Sequence, residues 1–180
     1  MTNDPTELAS TKIDVAELLD TPGATREVEL DLPVPEGFEV PLTAFGDEVR
    51  VDGVLESLVD GVLLRGTVEI DVDQQCAMCL ESIDRHPSTA DVAELFSDPA
   101  TAEDPEDVEV GYTIRGGVID IDTLIRDALA ADIDTAPHCR PDCKGLCPTC
   151  GINRNEATCD CHDTVVDDRW SALADLDLDS

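Results

Sequence analysis

The sequence predicts an α+β fold: an antiparallel β-sheet with packed helices and a cysteine-rich, zinc-stapled C-terminal segment. Three observations carry this. Two long apolar-rich runs, Val49–Val59 and Val62–Val72, are separated by Asp60-Gly61, a strong short hairpin signal. A hairpin joins antiparallel strands, whereas a parallel pair needs a crossover that this turn has no room for. The stretch VIDIDTLIRDALAADI from Val118 has helical apolar spacing, and six of the eight cysteines fall between Cys139 and Cys161.

Taken in order, DVAELLD (Asp14 to Asp20) reads as a short helix stopped by Pro22-Gly23. TREVELDLPV alternates apolar and charged residues through Val28, Leu30 and Leu32, the period of a strand with one buried face. The hairpin follows. After Pro87, TADVAELF reads as a further strand. SDPATAEDPEDVEVG is acidic, proline-bearing and without apolar period, so it reads as a solvated connector. In the main helix Asp122 is the expected cap, and Leu124, Ile125, Ala128 and Leu129 share one apolar face. DDRWSALADL closes the chain as a short helix, in which Trp170 is a packing residue rather than a base-stacking one. The expected division is a core domain over 1–135, with the central hairpin and a C-x-x-C pair, and a segment over 136–180 packed on it.

A chain of 180 residues with 42% hydrophobic content is long enough to bury a core. No run approaches the roughly 20 apolar residues that cross a bilayer, and the first residues lack the basic start and apolar stretch of a signal peptide. The expectation is a cytoplasmic protein without a membrane partner, in a compartment where clustered thiols bind metal or react more often than they form structural disulfides.

Spacing separates metal from redox chemistry. Cys147 and Cys150 stand two residues apart in LCPTCG, where the loop lets two thiolates face one ion and Gly151 lets the backbone curl towards them. A second such pair is Cys76 and Cys79 in CAMC. With Cys139, Cys143, Cys159 and Cys161, eight thiolates suffice for two tetrahedral sites, hence two zinc ions, or one with four cysteines spare. Spacing leaves open which sulfur joins which site. The competing reading is a thiol redox protein or redox-regulated chaperone using Cys76 and Cys79. A redox C-x-x-C should end a strand and open a helix, and LESIDRHPSTADVAEL offers no convincing helical start. His138 and His162 lie beside cysteines, where a spare ligand is as good a reading as a catalytic base.

Forty-two acidic residues oppose eleven basic ones, a formal net charge of −31. Such a surface repels nucleic-acid phosphates and favours basic partners, although only two lysines, Lys12 and Lys144, also fit a proteome-wide adaptation to salt. Bases gather locally: between Ala136 and Asn155 stand Arg140, Lys144 and Arg154 against Asp142 alone, the best candidate RNA contact.

CAMC at the end of a long hairpin, then AELFS, VIDIDTLIRDALAADI and PHCRPDCKGLCPTCGINRNEATCDC, together resemble the YceD family, the large ribosomal RNA subunit accumulation proteins. The resemblance runs from about Ile13 to Leu176 and is most specific over Cys139 to Cys161. It departs near the C-terminus, where Asp167-Asp168-Arg169 replaces the family's Asp-Pro-Arg order. The resemblance implies a cytoplasmic, non-enzymatic factor needed for normal levels of large-subunit ribosomal RNA. Its expected partner is a basic ribosomal protein or assembly factor, or precursor 23S-type rRNA, with no small-molecule substrate.

Overall fold

The computed structural model describes residues 11–99 and 112–161. The expected C-terminal helix with Trp170 and most of the acidic connector lie outside the described residues.

Four strands form one antiparallel sheet in chain order: β2 (Thr25–Pro33), β3 (Thr43–Ser57), β4 (Gly61–Gln75) and β5 (Ser82–Ser97). Two further strands, β1 (Lys12–Asp14) and β6 (Val118–Asp120), pair antiparallel beside it. The helices are α1 (Ala16–Leu19) and α2 (Asp122–Asp132). Among the described residues the protein is mostly antiparallel β-sheet with two short helices, less helical than the sequence led one to expect.

Alternation sets the two faces of the sheet. In β2, Val28 and Leu32 are buried while Glu27, Glu29 and Asp31 are exposed. Val49, Val51 and Leu55 of β3, and Val62, Leu64, Val68 and Ile70 of β4, continue the buried face. Helix α2 covers that face over β4 and β5 with Leu124, Ile125, Ala128 and Leu129, the four residues its spacing assigned to the core. Tyr112 Oη donates to Asp127 at 2.7 Å, and Ser88 Oγ donates to Asp132, tying the helix's polar edge to its neighbours.

Several elements differ from expectation for identifiable reasons. The strand expected after Pro87 starts earlier and runs through it. β5 is the last strand of the sheet, where a proline's missing N–H need not leave a ladder bond unmade. The hairpin reverses one residue early: Leu58 N donates to Gly61 O at 2.8 Å, so Val59 and Asp60 form the tip. Gly61 is needed instead for close approach, because a Cβ there would lie 2.0 Å from the Phe96 carbonyl oxygen. Asp122 does not cap α2. The helix begins after Ile121, and Asp120 Oδ1 accepts the Asp122 N–H at 3.1 Å while the Asp122 carboxylate pairs with Arg126 at 2.7 Å. The stretch expected as a helix from Asp14 helps form β1 first, and only one turn of α1 remains.

One buried polar side chain steers the chain towards its cysteine-rich part. Gln74 Nε2, at the end of β4, donates to Thr43 Oγ1 and to the Asp134 carbonyl, both at 2.9 Å. The chain leaving α2 is thereby fixed beside the far end of the β4–β5 hairpin.

Candidate metal centre

That far end is the first cysteine knuckle. Residues 76–81 close the hairpin between β4 and β5: Cys76 N donates to Glu81 O and Leu80 N to Cys76 O, both at 2.8 Å. The loop closes with Leu80 in the left-handed region at φ 61. The second knuckle repeats this bonding. Cys147 N donates to Ile152 O and Gly151 N to Cys147 O, again at 2.8 Å, with Gly151 at φ 73. Only the left-handed residue differs, leucine in one loop and glycine in the other.

Each knuckle recruits a different second pair. Cys76 and Cys79 meet Cys139 and Cys143, while Cys147 and Cys150 meet Cys159 and Cys161; within each tetrad the sulfurs lie within 4.8 Å of one another. The first tetrad therefore joins the sheet to the tail, whereas the second closes within the tail. Cys76 Sγ is 3.8 Å from Cys143 Sγ, and Cys79 Sγ is 3.7 Å from Cys139 Sγ. Four thiolates held tetrahedrally at a zinc–sulfur distance of about 2.3 Å stand about 3.8 Å apart, whereas disulfide sulfurs sit at about 2.05 Å. The spacing is that of a metal cage, and all eight cysteines are free thiols. Soft thiolate tetrads of this shape suit zinc or iron–sulfur chemistry.

The backbone prepares the first thiol of each knuckle for a cation. Burial raises the Cys76 pKa, but the N–H groups of Cys139, Cys79 and Met78 outweigh it and bring the thiol down to about 6. The N–H groups of Cys150 and Thr149 do the same for Cys147, bringing it to about 6 against the cost of burial. The last proton is harder to remove. Cys161 is pushed up to about 12 by its contact with Cys150, by burial, and by the charge of Cys150. Cys79 rises to about 12: the Glu81 N–H lowers it, but burial and the neighbouring sulfurs prevail. In each tetrad one thiol is lowered and another raised, and a bound cation would favour the thiolate form of both.

Donors from the tail reach the sulfurs. Asn155 Nδ2 donates to Cys143 Sγ at 3.3 Å and Arg154 Nη2 to Cys147 Sγ at 3.8 Å. Asn153 Nδ2 donates to Glu81 Oε1 at 2.8 Å, and the other Glu81 oxygen lies 3.6 Å from Cys79 Sγ. Sequence alone gives Glu81, Asn153 and Asn155 no role: the asparagine-containing tail before CDC counts only towards the family resemblance, beside asparagine's habit of bonding nearby backbone in turns. The candidate RNA contacts all lie here. Arg140 and Lys144 are exposed, with Arg140 3.9 Å from Asp142, while half-buried Arg154 turns towards a cysteine. His138 is exposed and stands outside both tetrads, and His162 lies outside the described residues. The Cys76–Cys79 loop links strand to strand, not strand to helix as a thioredoxin-type motif requires.

Comparison with known proteins adds the following. The family described as large ribosomal RNA subunit accumulation protein YceD matches residues 64–177. An uncharacterized protein of Mycobacterium tuberculosis is 34% identical over 168 residues, covering 91% of this chain and 80% of that protein. One from Mycobacterium leprae is 32% identical over 169 residues, covering 91% and 76%. A chloroplastic YCED homolog 1 of Arabidopsis thaliana, a large ribosomal RNA subunit accumulation protein, is 38% identical over 58 residues, which are 32% of this chain and 18% of that protein. No solved structure matches.

Proposed function

The chain belongs to the YceD family of large ribosomal RNA subunit accumulation proteins, and on that premise we propose that it is a cytoplasmic, non-enzymatic binding protein that holds two zinc ions and supports accumulation of large-subunit ribosomal RNA. Its partner in this reading is a basic ribosomal protein or assembly factor. The observation that carries the choice of partner is the charge on the sheet face opposite α2. The rung Glu29–Asp52–Thr67–Asp91 crosses all four strands with three acids and no base. On the next rung Arg50 is already taken up by Asp31 at 3.5 Å and Glu69 at 2.9 Å. A lysine- or arginine-rich surface is the electrostatic complement of such a face.

Direct contact with precursor 23S-type rRNA is the weaker route. Within 136–161, Arg140, Lys144 and Arg154 are matched by Asp142, Glu156 and Asp160. Four thiolates around one divalent zinc leave a net −2 at each centre, so loading makes this segment negative and unsuited to a phosphate backbone.

The two routes part on mutation in a deletion strain. Neutralising one rung by Glu29→Gln, Asp52→Asn and Asp91→Asn is expected to lower large-subunit rRNA and to lose co-purifying basic large-subunit proteins, with the zinc retained. Reversing Arg140 and Lys144 to glutamate is expected to leave rRNA levels intact. The opposite pattern, in folded and zinc-loaded variants, would move the function to the RNA route.

A further inference from the structure

The two tetrads do not stand apart: residues 153–155 bind to both. Arg154 reaches Cys147 of the second tetrad, and its neighbour Asn155 reaches Cys143 of the first. Asn155 makes a second bond from the other end of its amide, where Oδ1 accepts the Lys144 N–H at 2.8 Å. Turning the amide over would set oxygen against sulfur and NH₂ against N–H, so this pair of contacts fixes one orientation. Asn153 Oδ1 in turn accepts the Asn155 N–H at 3.0 Å, while Nδ2 holds Glu81 at the base of the first knuckle. The Arg154 N–H donates to Gly145 O at 2.9 Å, and Leu146 N donates to Met78 O, also at 2.9 Å. Residues 145–146 therefore lie between the strap and the tip of the first knuckle.

The second tetrad brackets this strap in the chain. Residues 153–155 lie between its knuckle at Cys147–Cys150 and its closing pair at Cys159 and Cys161, so a metal there closes the loop that contains them. Closing the loop lowers the entropic cost of placing Asn155 on Cys143. We infer that the two centres are coupled: metal in the second centre orders the Asn153–Arg154–Asn155 strap, which delivers hydrogen bonds to the first centre and raises its affinity. Asn155 is the positioning residue that transmits the effect. The second centre fills first because its ligands close only the short stretch from Cys147 to Cys161, whereas the first, which fastens tail to sheet, spans Cys76 to Cys143. The coupling is reciprocal, so metal in the first centre also tightens the second. This inference rests on the proposed metal reading and adds to it an order of filling and a residue responsible.

The test uses the reduced full-length chain titrated with zinc against a competing chelator, with the backbone ¹⁵N resonances of Leu80 and Gly151 reporting the two knuckles separately. In the unaltered protein the Gly151 signal is expected to convert first. Disabling the second centre by Cys159→Ser with Cys161→Ser is expected to weaken zinc binding at the first about 5–150-fold, the range of typical coupling between sites. Asn155→Asp keeps the oxygen for Lys144 but puts a carboxylate oxygen where the N–H met sulfur. It is expected to weaken the first centre about 10–100-fold, as loss of an outer-sphere partner does. With cobalt(II) as probe, the same variant is expected to shift the sulfur-to-cobalt charge-transfer band of the first centre to lower energy, because its sulfur loses a donor. A purely structural role would not produce that shift. Independent filling of the two centres, or unchanged first-centre affinity in both variants, would overturn the coupling while leaving two metal sites standing. Absence of any metal binding would overturn both.

Discussion

Leu80 and Gly151 occupy the same position in two loops with the same backbone bonding, and only one of them is suited to it. A residue with a Cβ in the left-handed region costs roughly 1–2 kcal/mol relative to glycine. A Cβ at Gly151 would meet nothing within 4 Å, so Gly151→Ala isolates that backbone cost. It is expected to weaken zinc at the second centre by about 1 kcal/mol, roughly fivefold, in a chelator competition. Leu80→Gly removes the strain at the first knuckle and little packing, since Leu80 is 50% exposed. First-centre affinity is expected to hold or improve; a clear loss would mean the leucine side chain has a role of its own. At this scale the cysteines were legible as candidate ligands, because C-x-x-C is a local pattern, and the structure gathers them into two tetrads that could hold metal. Their partition was not legible. Cys76 and Cys139 are brought together by the β4–β5 hairpin and by Gln74 holding Asp134, a tertiary fact that spacing does not encode. The contact of Asn155 with Cys143 was not legible for the same reason.

At the scale of elements, the sheet and its helix separate what pattern reveals from what packing decides. Leu129 is fully buried on α2 against the sheet, so Leu129→Ala is expected to cost about 2–5 kcal/mol in denaturant unfolding. A cost below 1 kcal/mol would mean that α2 contributes little to the core. At Gly61, Gly61→Ala is expected to force β4 and β5 apart at their shared end, and to cost about 1–3 kcal/mol, the usual range for overpacking. An alanine there without cost would contradict the close approach. The hairpin was legible from Asp60-Gly61 even though glycine serves β5 rather than the turn. The apolar face of α2 was legible because four residues recur at helical spacing over eleven residues. β1 and β6 were not: three residues each carry no period, and they exist only because each supplies the other's ladder.

For the whole molecule, the first tetrad joins tail to sheet and the core lies between sheet and α2, so metal and core stability are separable. Stripping zinc with a chelator under reducing conditions is expected to expose the backbone amides of 136–161 to hydrogen exchange. Amides near Val51 and Val68, paired in the middle of β3 and β4, should stay protected. Global unfolding on chelation would show that the sheet depends on the metal. The net charge of −31 was legible, but its placement was not, because which acids share a face follows from strand register. The two-centre architecture is most directly tested by native mass spectrometry of the reduced, purified full-length chain beside its Cys76→Ser, Cys79→Ser variant. Two zinc ions on the unaltered chain and one on the variant are expected. No zinc on the unaltered chain, or two zinc ions retained by the variant, would contradict the account.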